Sequence, residues 1–106
     1  MQRIGFILKV KQEKLEEYKE AHRNVWPEMR QALSETGWTN YSLFARPDGT
    51  LFGYVETPDF EKAKADMETK PVNARWQAAM GEFFEGLEGK RPDESFFVLE
   101  EVFHLD

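Results

Sequence analysis

The sequence predicts an α+β fold of element order β-α-β-β-α-β, and three observations carry that prediction. Residues 3–10 and 96–105 alternate apolar side chains at period two, as strands do. Two stretches of helical periodicity follow an early strand and a late strand, and each is interrupted by a proline, at Pro27 and Pro71. Between them, residues 38–45 and 51–57 form two strand patterns joined by Arg46-Pro47-Asp48-Gly49-Thr50, a strong turn signal. A chain of 106 residues is read as one domain with one modest core.

In the first strand, Ile4, Phe6, Leu8 and Val10 share one face, and Gly5, Ile7 and Lys9 the other. The first helix is expected over 12–24. Leu15, Tyr18, His22 and Val25 fall on a single stripe, while Glu16, Glu17, Lys19, Glu20 and Arg23 lie off it and face water. Tyr18 and His22 therefore point inward, one turn apart. Histidine is the side chain that both gives and takes a proton near neutral pH, so the pair is a candidate acid/base site. Two ordinary core residues with satisfied hydrogen bonds fit the same spacing.

Trp26-Pro27-Glu28 predicts a break. The residue before proline avoids the helical region, and proline suits the first position of a new segment. Met29 and Leu33 continue the apolar side, Trp26 fills the gap at the kink, and Gly37 closes the helix.

In the second strand, Thr39, Tyr41, Leu43 and Ala45 are placed on one face, with Trp38, Asn40, Ser42 and Phe44 on the other. Tyr41 is a candidate for offering its hydroxyl to a polar ligand. A cross-strand aromatic partner would fit its position equally well. Gly53 leaves a hole in the third strand. Asp59 is the expected N-cap of the next helix, which carries Phe60, Ala63 and Met67. After Lys70-Pro71, the stripe is read as Val72, Arg75, Trp76, Ala79, Met80 and Phe83. Trp76 is either core or a stacking platform for the C–H face of a sugar ring. Residues 86–94 read as a loop. The last strand contains Glu100 and Glu101, expected as solvated or interface carboxylates. His104 is expected to be partly exposed.

This order is the ferredoxin-like split βαβ arrangement, a four-stranded antiparallel sheet with the helices on one face. The first and last strands carry apolar residues on both faces. A bare apolar sheet face is adhesive, so a two-fold homodimer, sheet on sheet, is expected as a barrel-like pair.

Composition removes several function classes. The net charge of −6 argues against a nucleic-acid partner. The absence of cysteine removes disulfides, thiolate metal sites and a cysteine nucleophile. The two histidines are far apart, with no H-E-x-x-H spacing, and no Gly-rich phosphate loop occurs. No apolar stretch resembles a signal peptide or a membrane span, so no membrane partner and a cytoplasmic location are expected. Aromatic content of 14% suits a small core, a ligand pocket or an interface.

Nearly end to end, the chain resembles the L-rhamnose mutarotase family. The resemblance rests on Glu17-Tyr18, His22, Asn24, Trp26-Pro27-Glu28, Gly37, Asn40-Tyr41, the hairpin, Arg75-Trp76 and Leu99-Glu100-Glu101-Val102-Phe103. It implies a dimeric α/β-barrel isomerase that interconverts the anomers of L-rhamnose with no metal and no cofactor. His22 would be the proton donor; ring opening needs a proton on the ring oxygen, and His22 is the group expected to deliver it. Tyr18, Tyr41 and Trp76 would contact the sugar. Typical relatives carry Trp-Trp where this chain has Trp76-Gln77, so Gln77 would hydrogen-bond a hydroxyl in place of stacking. That departure bears on which aldose is preferred. Alternatives are a mutarotase for another aldose, a haem-binding protein or cofactor-free oxygenase of the same fold, and a non-catalytic sugar-binding domain. Fold alone does not separate them.

Overall fold

The computed structural model describes the chain apart from Glu88 and the side chain of Asp93. The predicted loop at 86–94 includes both, so it is described only in part. A short 3₁₀ turn, Pro92–Glu94, lies within it.

Strand β1 spans Gln2–Lys9. A 3₁₀ turn at Gln12–Lys14 leads into helix α1, Leu15–Arg23. Helix α2, Pro27–Glu35, starts on the predicted proline, and Trp26 before it is extended (φ −54°, ψ 134°). The end of α2 is a Schellman motif: Gly37, at φ 91°, donates to Ser34 C=O, and Trp38 donates to Leu33 C=O. Strands β2 (Thr39–Ala45) and β3 (Thr50–Thr57) follow as a hairpin. Its turn needs Gly49: φ is 95°, and a Cβ there would sit 2.1 Å from the Val10 carbonyl oxygen. Helix α3 covers Phe60–Glu68, with Asp59 accepting the Lys62 N–H as N-cap. Helix α4 covers Pro71–Met80, and strand β4 covers Phe97–Leu99.

The sheet is antiparallel with order β2-β3-β1-β4, the ferredoxin-like order. Phe6, Leu8, Val10, Leu51 and Val55 pack on one face against Leu15, Tyr18, Met29, Phe60, Met67 and Trp76 from the helices. Gly53 is opposite Phe6, and its missing side chain is the space the Phe6 ring occupies: a Cβ would lie 2.1 Å from Phe6 Cζ.

Three details differ from the sequence reading. The faces of β2 are not a simple alternation. Thr39 pairs with Glu56 and Ser42 with Tyr54, so β2 holds one extra residue there, and Asn40 sits at φ 47°. This bulge shifts the phase. Trp38 and Tyr41 therefore lie on the same side, ring centroids 5.1 Å apart, in place of opposite sides. Second, α4 buries Asn73 and Gln77, while Arg75 and Ala79 are exposed. Third, the final strand stops at Leu99. It pairs with β1 through Gly5–Ile7, and residues 100–106 are not in strand conformation. Beyond it, Arg3 grips Glu101 through two hydrogen bonds (2.7 and 3.2 Å), and His104 is exposed beside Asp106.

Among the described residues, no helix covers the other sheet face. Register places Phe44, Phe52, Ile7 and Phe97 in one row across all strands, and Phe44 and Phe97 are 64% and 70% exposed.

Candidate active site

A cavity of about 540 Å³ opens between the helices and the inner sheet face. That volume lies in the range of small-ligand sites. His22, Tyr41, Trp76 and Gln77 line it. A smaller adjoining cavity of about 60 Å³ shares those four residues and adds Tyr18. All five predicted site residues are thus brought together. The proline breaks make this arrangement, because they turn α1 into α2 and α3 into α4 so that both pairs wrap around one hollow.

The His22 ring is half-buried, and its Nδ1 lies 2.9 Å from the Tyr18 carbonyl oxygen. A carbonyl only accepts, so Nδ1 carries the hydrogen in this contact. That tautomer leaves the lone pair on Nε2, which has no hydrogen bond among the described residues. Burial holds the imidazole below its ordinary value of 6.5, partly offset by the carbonyl contact. At neutral pH the ring is therefore uncharged, with Nε2 able to take a proton.

Tyr18 stacks on His22 at 4.1 Å and meets Phe84 edge-on at 5.6 Å. Burial pushes its hydroxyl far above the usual phenol range. The hydroxyl stays protonated and serves as a donor or neutral acceptor, not as a base. It makes no hydrogen bond among the described residues, yet it is not sealed from the cavity.

Trp76, buried to 7%, touches His22 edge-on at 5.4 Å and Trp26 at 5.0 Å. An aromatic wall thus runs Trp26, Trp76, His22, Tyr18. Trp26 does not plug the kink. It is 37% exposed and extends the wall outward. Tyr41 reaches the cavity because the β2 bulge sets it beside Trp38.

Sequence reasoning missed Asn73, which lines the larger cavity at 1% exposure. Its signal was the spacing to Gln77, one helical turn on, with both amides on the stripe of Trp76 and Met80. Trp38, Arg30 and Phe96 also line this cavity. Among the described residues, no three His, Cys, Asp or Glu cluster as metal ligands, and no helix is long and apolar enough to cross a membrane.

The geometry describes a pocket for a small ligand, with Arg23 and Arg30 among its lining residues. It has an aromatic wall, hydroxyl and amide groups, and one uncharged imidazole in its lining. Comparison with known proteins agrees. The family model for L-rhamnose mutarotase matches residues 3–105. An L-rhamnose mutarotase of Oceanobacillus iheyensis is 37% identical, with both chains fully covered. That of Bacillus subtilis is 38% identical, again over the whole of both chains. The crystal structure of an L-rhamnose mutarotase from Formosa agariphila superimposes over both full chains with TM-score 0.82 at 28% identity. A putative antibiotic biosynthesis monooxygenase from Nitrosomonas europaea shares the fold alone, with TM-score 0.60 at 17% identity, covering 96% of this chain and all of its own. On this match of nearly the whole chain, the protein belongs to the L-rhamnose mutarotase family.

Proposed function

We propose that the chain is an isomerase that interconverts the α and β anomers of L-rhamnose, with His22 as its acid/base group. The observation that carries the reading is the His22 ring, held by the Tyr18 carbonyl and lining a cavity large enough for a sugar.

The chemistry follows from the ring. Nε2 takes the proton of the anomeric hydroxyl. As the carbonyl forms at that carbon, the bond from carbon to ring oxygen breaks, and the imidazolium returns its proton to the ring oxygen. Both oxygens are bonded to the same carbon, so one imidazole reaches both. Rotation about the adjacent carbon–carbon bond presents the other face of the aldehyde. Reversal of the steps closes the opposite anomer. His22 thus delivers the proton to the ring oxygen, after first taking one from the anomeric hydroxyl. No redox step is required. Positioned acid/base groups give about 10²–10⁴-fold. In this reading Trp76 stacks on the C–H face of the sugar, and Tyr18 and Tyr41 hold hydroxyls. Gln77 adds a polar contact.

The row of Phe44, Phe52, Ile7 and Phe97 supports a homodimer, sheet against sheet. Val102 and Phe103, 87% and 77% exposed, extend the apolar surface past β4. Saturation transfer between the two anomeric protons, measured by NMR with and without the protein, tests the activity. Faster exchange for L-rhamnose supports the reading. Acceleration only for another aldose keeps the reaction and changes the substrate. No acceleration for any aldose refutes it.

A further inference from the structure

The extra residue in β2 decides which way Tyr41 faces. Thr39 pairs with Glu56 and Ser42 with Tyr54, so Asn40 and Tyr41 stand across from Val55 alone. Continued without that residue, the Thr39–Glu56 pairing would set Asn40 opposite Val55, in the core, and Tyr41 opposite Tyr54, on the outer face. With it, Tyr41 lines both cavities, and its ring lies 5.1 Å from Trp38 and 6.2 Å from Phe6.

A clamp on the outer sheet face holds the extra residue. Asn40, at φ 47°, is alone among the described non-glycine residues in the left-handed region. That backbone is costly for any residue with a Cβ, and asparagine tolerates it best when its short amide can hydrogen-bond nearby. Here Asn40 Nδ2–H donates to Glu56 Oε1 at 2.9 Å. The Tyr54 hydroxyl, two residues away along β3 on the same face, donates to Glu56 Oε2 at 2.8 Å. The Thr39 hydroxyl donates to the Glu56 backbone carbonyl at 2.6 Å. Glu56 thus holds two consecutive residues of β2, while Tyr54 steadies its other oxygen. The side-chain bonds, Asn40's foremost, keep the Glu56 carboxyl below the usual carboxylate range, and hydrogen bonds to a charged acceptor are the stronger kind.

We infer that Glu56 is a positioning residue for Tyr41: through Asn40 it holds the β2 bulge that turns the Tyr41 side chain into the cavity, from the opposite face of the sheet. The effect on activity rests on the isomerase reading; the effect on the bulge does not.

Two readouts test this. Nuclear Overhauser contacts between the Trp38 and Tyr41 rings report the bulge without any sugar, and anomer exchange of L-rhamnose gives kcat/KM. Glu56→Ala, Glu56→Gln and Asn40→Val are made alone, and Glu56→Ala also together with Tyr41→Phe. Glu56→Ala should weaken the ring contacts and lower kcat/KM about tenfold, the worth of one hydrogen bond. Glu56→Gln keeps an acceptor for Asn40 and should restore most of that loss. Asn40→Val, a β-branched side chain at positive φ, should lose the ring contacts altogether. Beside Tyr41→Phe, Glu56→Ala should cost at most about twofold more, because the hydroxyl it positions is gone. Parent-level ring contacts in Glu56→Ala and Asn40→Val overturn the inference, as does a Glu56→Ala loss that persists in full beside Tyr41→Phe. A loss that accompanies a change in sedimentation also overturns it, placing Glu56 in subunit pairing instead. If no aldose shows accelerated exchange, the isomerase reading fails and the ring contacts still decide the clamp. Should Asn40→Val not fold, the two Glu56 variants carry the test.

Discussion

Replacing Tyr18 by Phe separates binding chemistry from structure at the centre of the site. The substitution removes one oxygen and keeps the ring, so the stacking on His22 at 4.1 Å and the edge contact with Phe84 at 5.6 Å persist. The Tyr18 carbonyl that holds His22 Nδ1 belongs to the backbone and is unchanged. The lost hydroxyl has no hydrogen bond among the described residues. Removing an unpaired polar atom from a 5% exposed side chain leaves no partner stranded. Stability should therefore stay within about 1 kcal/mol of the parent, a Tm change of at most about 4–8 °C for a domain of this size. Activity should respond differently. If the hydroxyl bonds the sugar, kcat/KM falls about tenfold, the value of one neutral hydrogen bond. Thermal unfolding followed by circular dichroism and anomer exchange followed by NMR give the two readouts. A large loss of stability would show that the hydroxyl belongs to the fold. Unchanged kcat/KM would show that it does not touch the substrate.

Further expectations concern Gly53, His22 and Phe52. Gly53→Ala forces a Cβ to within 2.1 Å of the Phe6 ring and should cost about 1–3 kcal/mol in urea unfolding; an unchanged midpoint would contradict the packing of Phe6 over Gly53. Burial lowers the pKa of His22, so the folded chain binds fewer protons than the unfolded chain at this residue. Its contribution to stability is full above about pH 6.5, the unfolded value, and is lost as pH falls through that value toward the folded one. The same shift sets the acid limb of kcat/KM below about pH 6.5, whereas a limb above it would mean that the charged ring is the active form. Phe52→Asp puts a charge in the middle of the exposed row and should turn the expected dimer into a monomer by analytical ultracentrifugation; a parent that is already monomeric would refute the sheet-face pairing.

Local chemistry made much of this fold legible. Pro27 and Pro71 start helices where proline belongs, Asp59 caps α3, and Gly49 turns the hairpin. The inward stripe of Tyr18 and His22 followed from helical spacing alone. The errors arose where a tertiary partner decides the phase. One extra residue at Asn40 brings Trp38 to the face of Tyr41, and no alternation pattern shows a bulge. In α4, apolar counting favoured Ala79 over Gln77. Asn73 and Gln77 are buried with a hydrogen bond between them and another from Asn73 to the Met67 carbonyl, which periodicity does not register. Past Leu99 the alternation continues in the sequence, but the backbone ladder with β1 does not, and the Arg3–Glu101 side-chain pair takes its place.

The most direct test of the account is saturation transfer between the anomeric protons of L-rhamnose, with the parent protein and with His22→Ala. The account predicts accelerated exchange for the parent and a loss of about 10²–10⁴-fold in the variant, toward the spontaneous rate, with the fold intact by circular dichroism. Exchange that His22→Ala leaves at the parent rate would remove His22 from the mechanism.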